Sequence, residues 1–388
     1  MIKHVLKLIW NKKRSNSLML LEIFLSFLVL FAVLSYSFFN INLVSKPLGF
    51  ETVNRWVISL EDLSKKDSTE AAEILKNLRS ELLALEEVED LTIQQNIRPF
   101  NNSTWYDGND DNGFGMNARI VPAGYNYAEV MNVPIVEGRW FKEEDLNATY
   151  DPIIVDKNFM DEYYPGKSMI DSVFIFNGER KLIGVVDQYR YGGEFEEVIR
   201  TTFNLIEETN KDNNTIILKM KAGSPVSVEQ KISNIVNNIT NTTGATIVSL
   251  EKERIEDSRT SWIQLIALLS ICGFLCINVA LGLFGVLWYN INKRRAEIGL
   301  RQAIGAHSSD ISKQFILEIL ILAGLAMMIG VFFAIQVPLL EVTEFPAEHY
   351  YKAIVVSVLV ISTLVVVCAF YPSIQASRIS PAIALHED

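Results

Sequence analysis

Four long runs of apolar residues divide the chain into membrane-spanning and polar parts. They cover 17–39, 262–289, 314–337 and 353–372, and each is long enough to cross a bilayer as a helix of about twenty residues. The first run is too long for the core of a signal peptide and has no A-x-A-like cleavage site after it, so we expect an uncleaved anchor. The pattern predicts an α-helical membrane protein with four transmembrane helices and one large polar domain over 40–261.

The order strand, helix, strand occurs twice in the polar domain. Alternating apolar residues predict the strands, and apolar residues every three or four positions, such as Leu75, Leu78 and Leu82, predict helices with one buried face. Two such units with an insertion between them predict an α+β domain of split β-α-β units carrying an inserted, mostly-β subdomain. The segments are NRWVISLE (54–61), a helix over 68–88, DLTIQQNI (90–97), the insertion over about 99–212, NTIILKMK (214–221), a helix over 227–240 and ATIVSLEK (245–252).

Charge in the short loops predicts the orientation. The segments 1–16 and 290–313 are rich in Lys and Arg, whereas 338–352 carries three Glu and one Lys. Basic loops stay in the cytoplasm, so both termini and 290–313 are expected there and the polar domain outside. The start of the chain is also amphipathic, which predicts a helix lying on the inner leaflet.

The predicted organisation therefore has nine parts along the chain. They are a cytoplasmic amphipathic helix (1–16), the first span (17–39), the extracytoplasmic domain (40–261), the second span (262–289), a cytoplasmic coupling loop (290–313), the third span (314–337), a short outer loop (338–352), the fourth span (353–372) and a cytoplasmic tail (373–388).

Composition excludes several classes of function. Residues 41–260 hold 23 Lys and Arg against 37 Asp and Glu, a net charge of −14 in a chain whose net charge is −11. Such an acidic domain argues against nucleic acid as a partner. The four histidines are scattered, the polar domain has no cysteine, and no G-x-S-x-G motif occurs. We therefore expect neither a metal site nor a catalytic nucleophile.

Polar and small residues inside the spans suggest packing contacts. Cys272, Cys276 and Ala280 are spaced as a small-residue ridge against which another helix can pack closely. The acids Glu22 and Glu318 lie within about two helical turns of the predicted inner surface, so we expect both to extend to that interface. Four spans with so few polar groups do not form a hydrophilic pathway through one chain.

The charged stretch NKRRAEIGLRQAIGAHSSDI (292–311) lies between two spans and is the candidate site for a partner. Glu297 and Arg301 are four residues apart and can pair on a helix, and Gly299 and Gly305 would let another surface approach closely. Ile298, Leu300 and Ile304 give the stretch apolar side chains for docking into a groove. An interfacial connector with no partner would have the same composition.

Several motifs, in order along nearly the whole chain, resemble one family. RRAEIGLRQAIGA (294–306), the following FILEILILAGLAMMIG and the final YPSIQASRISPAIAL (371–385) resemble the MacB/FtsX-type ABC transporter permeases. VEGRWFKEED (136–145), PIIVDKNFMDEYYPGKSMI (152–170) and LIGVVDQYR (182–190) resemble the periplasmic core domain of the MacB-like branch. Gln302 and His307 depart from residues common in the family, which could change the choice of partner.

The resemblance implies the site residues and the partners. It implies a permease without catalytic activity that binds no cofactor, with ATP and Mg on a separate cytoplasmic ABC ATPase, a second permease forming a homo- or heterodimer, and contacts with membrane lipids. A periplasmic adaptor or lipoprotein remains open as a further partner. The expected ATPase-coupling residues are Arg294, Arg295, Glu297, Ile298, Gly299, Arg301, Ala303, Gly305 and Ala306, and the outer-domain motif is Glu137, Gly138, Arg139, Trp140 and Phe141.

The implied function is export or extraction of a substrate by mechanotransmission, in which ATP-driven motion reaches the extracytoplasmic domain without a pore through the chain. The implied location is the bacterial cytoplasmic (inner) membrane. The alternative is a cell-division-type or signalling permease that activates an envelope enzyme or sensor. The outer domain of the cell-division branch is typically smaller than the roughly 220 residues here, which favours the exporter branch.

Overall fold

The computed structural model describes residues 13–60, 63–101, 105–109, 116–242, 245–294, 307–342 and 345–377, with 296, 298, 300, 303 and 304 between them. The chain forms two compact units. The membrane unit comprises residues 1–42 and 263–388, and the globular unit comprises Leu43–Trp262. The amphipathic helix predicted over 1–16 lies outside the described residues, except that 13–16 belong to the first turn of a longer helix.

The membrane unit contains four helices long and apolar enough to span a bilayer. They are α1 (Lys13–Val44), α6 (Leu250–Lys293), α7 (Ser308–Leu339) and α8 (Ala347–Ser377). Their shared core includes Ile23, Phe27, Leu283, Ala326 and Val365. The prediction of four transmembrane helices is confirmed.

The helices extend beyond the apolar runs. Residues 250–252, predicted to end a strand, instead begin α6, which starts twelve residues before the apolar run at 262. Glu251 and Glu253 lie in its first turn, where acidic side chains interact favourably with the positive end of the helix dipole. With 44 residues, α6 is about 66 Å long, whereas the hydrocarbon core of a bilayer is about 30 Å thick.

The globular unit contains eleven strands and four α-helices among its described residues, besides the ends of α1 and α6. They are β1 (Arg55–Ser59), α2 (Ser68–Leu83), β2 (Val88–Gln94), β3 (Trp105–Asn109), β4 (Met116–Ala123), α3 (Tyr127–Met131), β5 (Ile135–Gly138), β6 (Asp151–Asp156), α4 (Lys157–Tyr163), β7 (Val173–Ile175), β8 (Glu179–Val186), β9 (Thr201–Leu205), β10 (Thr215–Met220), α5 (Ser227–Thr240) and β11 (Thr246–Ser249).

The first sheet contains the four strands of the two repeated units in the order β11-β1-β10-β2, and all neighbouring pairs are antiparallel. The two strands of each unit are thus separated by a strand of the other, which is the split β-α-β arrangement. Helices α2 and α5 cover one face, where Leu75, Leu78 and Ile232 pack against Ile58 and Ile216. The α+β prediction is confirmed.

The second sheet is formed by the insertion. Its strand order is β3-β4-β9-β6-β8-β5, and β7 also pairs with β8. A second core, which includes Val57 and Ile217 of the first sheet together with Val121, Phe203 and Tyr189, packs the two sheets into one unit.

Candidate functional site

The start of the predicted coupling loop is held by an ion pair within the membrane unit. Arg294 directly follows α6, and its Nη1 lies 3.1 Å from Glu318 Oε2 on α7. Gln314 Nε2 donates to the other Glu318 oxygen at 3.1 Å, and the side chains of Arg294 and Glu318 are each 16% exposed. Glu318 therefore binds the start of the coupling loop, and the expectation that it extends to the inner interface stays a prediction.

The described part of the coupling loop divides its apolar side chains between two environments. The amide of Ile298 donates to Arg294 O at 2.9 Å and that of Ile304 to Leu300 O at 3.1 Å, which are helical hydrogen bonds. Ile298 is buried, whereas Leu300 and Ile304 are 50% and 79% exposed, and Ala303 is also exposed. The loop is thus anchored by one isoleucine and presents two other apolar residues one turn apart.

The other six predicted coupling residues lie outside the part of the chain that the structure describes. The Glu297–Arg301 pair therefore stays a prediction. The residues concerned are Arg295, Glu297, Gly299, Arg301, Gly305 and Ala306.

Small residues inside the spans are placed unequally. Cys272 is buried in the core of the membrane unit, while Cys276 and Ala280 are half-buried. A close approach occurs instead at Gly282, where an added Cβ would lie 2.6 Å from the carboxylate of Glu22. In the part of the chain that the structure describes, no three His, Cys, Asp or Glu side chains are grouped to hold a metal.

The outer-domain motif forms a turn in the second sheet. Arg139 binds the carboxylate of Asp145 with both terminal nitrogens, at 2.6 and 2.8 Å, and the Arg139 guanidinium holds the pKa of that carboxyl below its usual value. Trp140 and Phe141 are buried, and Trp140 Nε1 donates to Gly124 O at 3.2 Å. Glu137 is exposed and accepts a hydrogen bond from Ser168.

Gly138 allows this turn to lie on the neighbouring strand. Its φ is +74°, and a Cβ there would collide with Ile183 O. Gly184 opposite it would in turn place a Cβ against Arg139 O. The motif therefore anchors the edge of the second sheet through backbone contact, and its Gly138 and Arg139 line a surface cavity of about 390 Å³ with Tyr150, Lys181 and Ile183.

Two buried carboxylates lie elsewhere in the globular unit. Burial raises the pKa of Glu208 to about 7, although Arg79 Nη1 is 2.7 Å from its Oε2 and acts in the opposite direction. Burial likewise raises the pKa of Asp156 to about 6, against the lowering effect of hydrogen bonds from Asn158, Thr201 and Phe159. Glu208 connects the segment after β9 to α2.

The sequence analysis did not identify Arg119, Arg190 or Glu196 as important. Their polar contacts connect parts of the globular unit that are far apart in sequence. Arg190 closes the LIGVVDQYR motif, but nothing in its local sequence distinguishes a buried arginine from a solvated one. The available signal is a hydrophobic strand followed within a few residues by Tyr189, Arg190 and Tyr191 and then by two glycines.

Comparisons with known proteins agree with these features. Residues 18–235, more than half of the chain, match the MacB-like periplasmic core domain, and residues 268–381 match the FtsX-like permease C-terminal domain. A macrolide export ATP-binding/permease protein MacB of Neisseria meningitidis is 22% identical over 285 residues, which is 70% of this chain and 44% of that protein. One from Paracoccus denitrificans is 24% identical over 283 residues, 70% of this chain and 42% of that protein.

A solved structure is similar to part of the chain. The periplasmic region of MacB from Actinobacillus actinomycetemcomitans matches 55% of this chain and 98% of that region, with 14% identity and a TM-score of 0.37. The chain spans less than half the length of the curated relatives named above. With both family models matched in order along one chain that has four apolar helices, the protein belongs to the MacB/FtsX-type permeases.

Proposed function

We propose that this permease is the membrane subunit of an ABC transporter of the bacterial inner membrane, with both termini in the cytoplasm. It passes the ATP-driven movement of a separate ATPase to its globular unit and so exports or extracts a substrate outside the membrane. Two permeases pair in the membrane, and two ATPase subunits bind their coupling loops. The chain itself does not hydrolyse ATP in this proposal.

The observation that carries the proposal is the exposure of Leu300 and Ile304 on an anchored segment. The Arg294–Glu318 ion pair and buried Ile298 hold the start of the loop, and the two exposed side chains follow Ile298 along the chain. Two apolar residues one helical turn apart suit docking into a groove on a partner. Contact with lipid or solvent alone would not require these two side chains to be held in place.

The length of α6 supports mechanical transmission. A single helix runs from Leu250, in the globular unit, to Lys293, which precedes the coupling loop. Because every residue of a helix is hydrogen-bonded along its axis, a displacement at Lys293 reaches Leu250 over about 66 Å without a flexible linker.

The test is ATPase turnover of the complex purified from native membranes through a tag on the permease and reconstituted in nanodiscs. Leu300→Asp and Ile304→Asp place a charge where an apolar contact is proposed. We expect permease-stimulated turnover to fall by tenfold or more, which corresponds to about 1.4 kcal/mol in the activation free energy. Val226→Asp, at a residue of the globular unit that is 78% exposed, is the matched control.

Each variant must insert and elute normally before turnover is compared. Variants that insert normally and leave both turnover and complex formation unchanged would show that the loop is a connector and would refute the proposal. An ATPase that remains bound but no longer responds to the permease would place the defect in transmission.

A further inference from the structure

The segment between β8 and β9, residues 187–200, contacts the ends of both membrane-spanning helices that enter the globular unit. It has no regular helix or strand, yet Tyr189, Arg190 and Tyr191 are buried in it. Its first part ends the motif LIGVVDQYR, and Gly192 and Gly193 follow after Tyr191. This segment belongs to neither the coupling loop nor the outer-domain motif, and the function proposed above assigns it no role.

Arg190 binds the end of α1. Its Nη1 donates to Leu43 O at 2.7 Å and to Lys46 O at 3.1 Å, and its backbone amide donates to Leu48 O at 2.8 Å. The last carbonyls of a helix lack partners within the helix, and a cation there also interacts favourably with the helix dipole. Arg190 therefore caps α1 with a group from a distant part of the sequence.

The same guanidinium also holds the segment itself together. Arg190 Nη2 donates to the carbonyl oxygens of Glu194 and, at 3.0 Å, of Glu196. A planar guanidinium presents several donors in a fixed arrangement, which a lysine cannot reproduce. The end of α1 and the turn at Glu194 are thus fixed relative to each other.

Glu194 and its neighbours bind the first turns of α6. The carboxylate of Glu194 accepts hydrogen bonds from Arg254 and, at 3.2 Å, from Ser258 Oγ. Phe195 contacts the ring of Trp262 edge-on, with centroids 5.3 Å apart. These contacts place the segment along α6 from Arg254 to Trp262.

Gly193 brings the backbone of the segment close to α6. Its φ is +102°, and a Cβ added there would lie 2.6 Å from Asp257 Oδ2. Both the left-handed conformation and the short distance require glycine. The approach is therefore a feature of the backbone as well as of the side chains.

Glu196 fixes the segment to the second sheet. Its carboxylate binds both terminal nitrogens of Arg119 on β4, with one distance of 2.8 Å, and accepts from the amide of Gly192 at 2.6 Å. Arg119 is 2% exposed and lies over the ring of Tyr191 at 5.3 Å. The two parallel charge-assisted hydrogen bonds, with Arg119 buried and Glu196 partly buried, hold the segment against β4.

The covalent path of the chain leads from α1 and α6 to the first sheet, whereas the second sheet is reached through the shared core and through this segment. After α1 the next strand is β1, and α6 directly follows β11; both strands belong to the first sheet, where they are neighbours. A movement of α1 and α6 would therefore reach the first sheet through the backbone. The second sheet has no covalent connection of this kind.

We propose that residues 187–200 are the joint that passes movement of α1 and α6 to the second sheet of the globular unit. Arg190 and Glu194 are positioning residues that hold the two helix ends, and Glu196 connects them through Arg119 to β4. This inference rests on the proposed mechanical function and names the residues through which it acts.

The test is hydrogen–deuterium exchange of the full-length permease in nanodiscs with its co-purified ATPase, with and without ATP and vanadate. The variants are Arg190→Lys, which removes the fork of donors, Glu194→Gln, which removes the charge bound by Arg254, and Gly193→Ala. Arg79→Gln is the matched control, because it removes a half-buried ion pair of the same unit that lies outside the segment.

In the resting state, we expect the three variants to raise the exchange rate of amides in residues 41–46 and 254–260 by tenfold or more. The Arg79→Gln control should leave those amides unchanged. With ATP and vanadate, the amide exchange rates of the wild type should change in both sheets. The variants should keep the change in the first sheet. They should lose it in the second sheet, which is measured over 116–123 and 201–205.

The outcomes separate this inference from the proposed function. If the wild type shows no nucleotide-dependent change in the globular unit, the mechanical function fails and the joint with it. If the wild type responds and the variants still change exchange in the second sheet, the joint is refuted while the function stands. Unchanged resting exchange at 41–46 and 254–260 in all three variants would also refute it.

Discussion

The buried carboxylate of Glu208 makes the stability of the globular unit depend on pH. Burial raises the pKa of this group from 4.5 to about 7 in the folded protein. An acid whose pKa is raised on folding contributes stability that is fully present below pH 4.5 and is lost as the pH rises through 7. The free energy of unfolding should therefore fall as the solution becomes less acidic.

The size of the effect follows from the shift. A pKa that moves from 4.5 to about 7 corresponds to about 3 kcal/mol when the titration is complete, and most of it falls between pH 5 and pH 8. Glu208→Gln removes the titration and should remove that part of the pH dependence. Asp156, with a pKa of about 6, will contribute a decline of the same sign that Glu208→Gln leaves in place.

The assay is urea unfolding of the isolated globular unit, residues 43–262, followed by tryptophan fluorescence at pH 5, 6, 7 and 8. The free energy of unfolding of the wild type, minus that of Glu208→Gln, should fall by roughly 2 to 3 kcal/mol across this range. Glu207→Gln is the control, because Glu207 is adjacent but exposed. A difference that stays constant or rises with pH would show that Arg79 outweighs burial and would refute the reasoning.

Three further predictions concern folding, orientation and the outer-domain motif. Isolated residues 43–262 should fold as a soluble monomer because they contain their own cores, and an unfolded circular dichroism spectrum would contradict this. A cysteine at exposed Glu144, in a variant whose native cysteines are replaced, should react with an impermeant maleimide in intact spheroplasts; reaction only after lysis would reverse the orientation. Gly138→Ala should destabilise the unit by more than about 1 kcal/mol in urea unfolding, because φ is +74° and the new Cβ meets Ile183 O, whereas Gly178→Ala, with no atom within 4 Å, should cost less. Equal effects of these two glycine substitutions would show that the contact with Ile183 is unimportant.

The sequence by itself determined the number of membrane helices and the class of the globular fold. Long apolar runs are specific because a span must satisfy its backbone internally and present apolar side chains throughout. The regular spacing of Leu75, Leu78 and Leu82 likewise predicted one buried face of a helix, which the structure confirms. The order of strands and helices predicted split β-α-β units, since two such units have few ways to share a sheet. The orientation across the membrane stays a prediction from charge.

Only the tertiary structure decided which distant residues meet. Glu318 looked like an acid near a lipid interface, and its partner Arg294 is 24 residues away on another element. Arg190 and Leu43 are 147 residues apart, so no local pattern could pair them. The extent of α6 before residue 262 was also missed, because residues 250–261 are polar and a span is recognised from apolar side chains alone. Periodicity reports whether a side chain faces a core, but the partner of a buried charge depends on how elements far apart in sequence pack together, and that is decided by the fold as a whole.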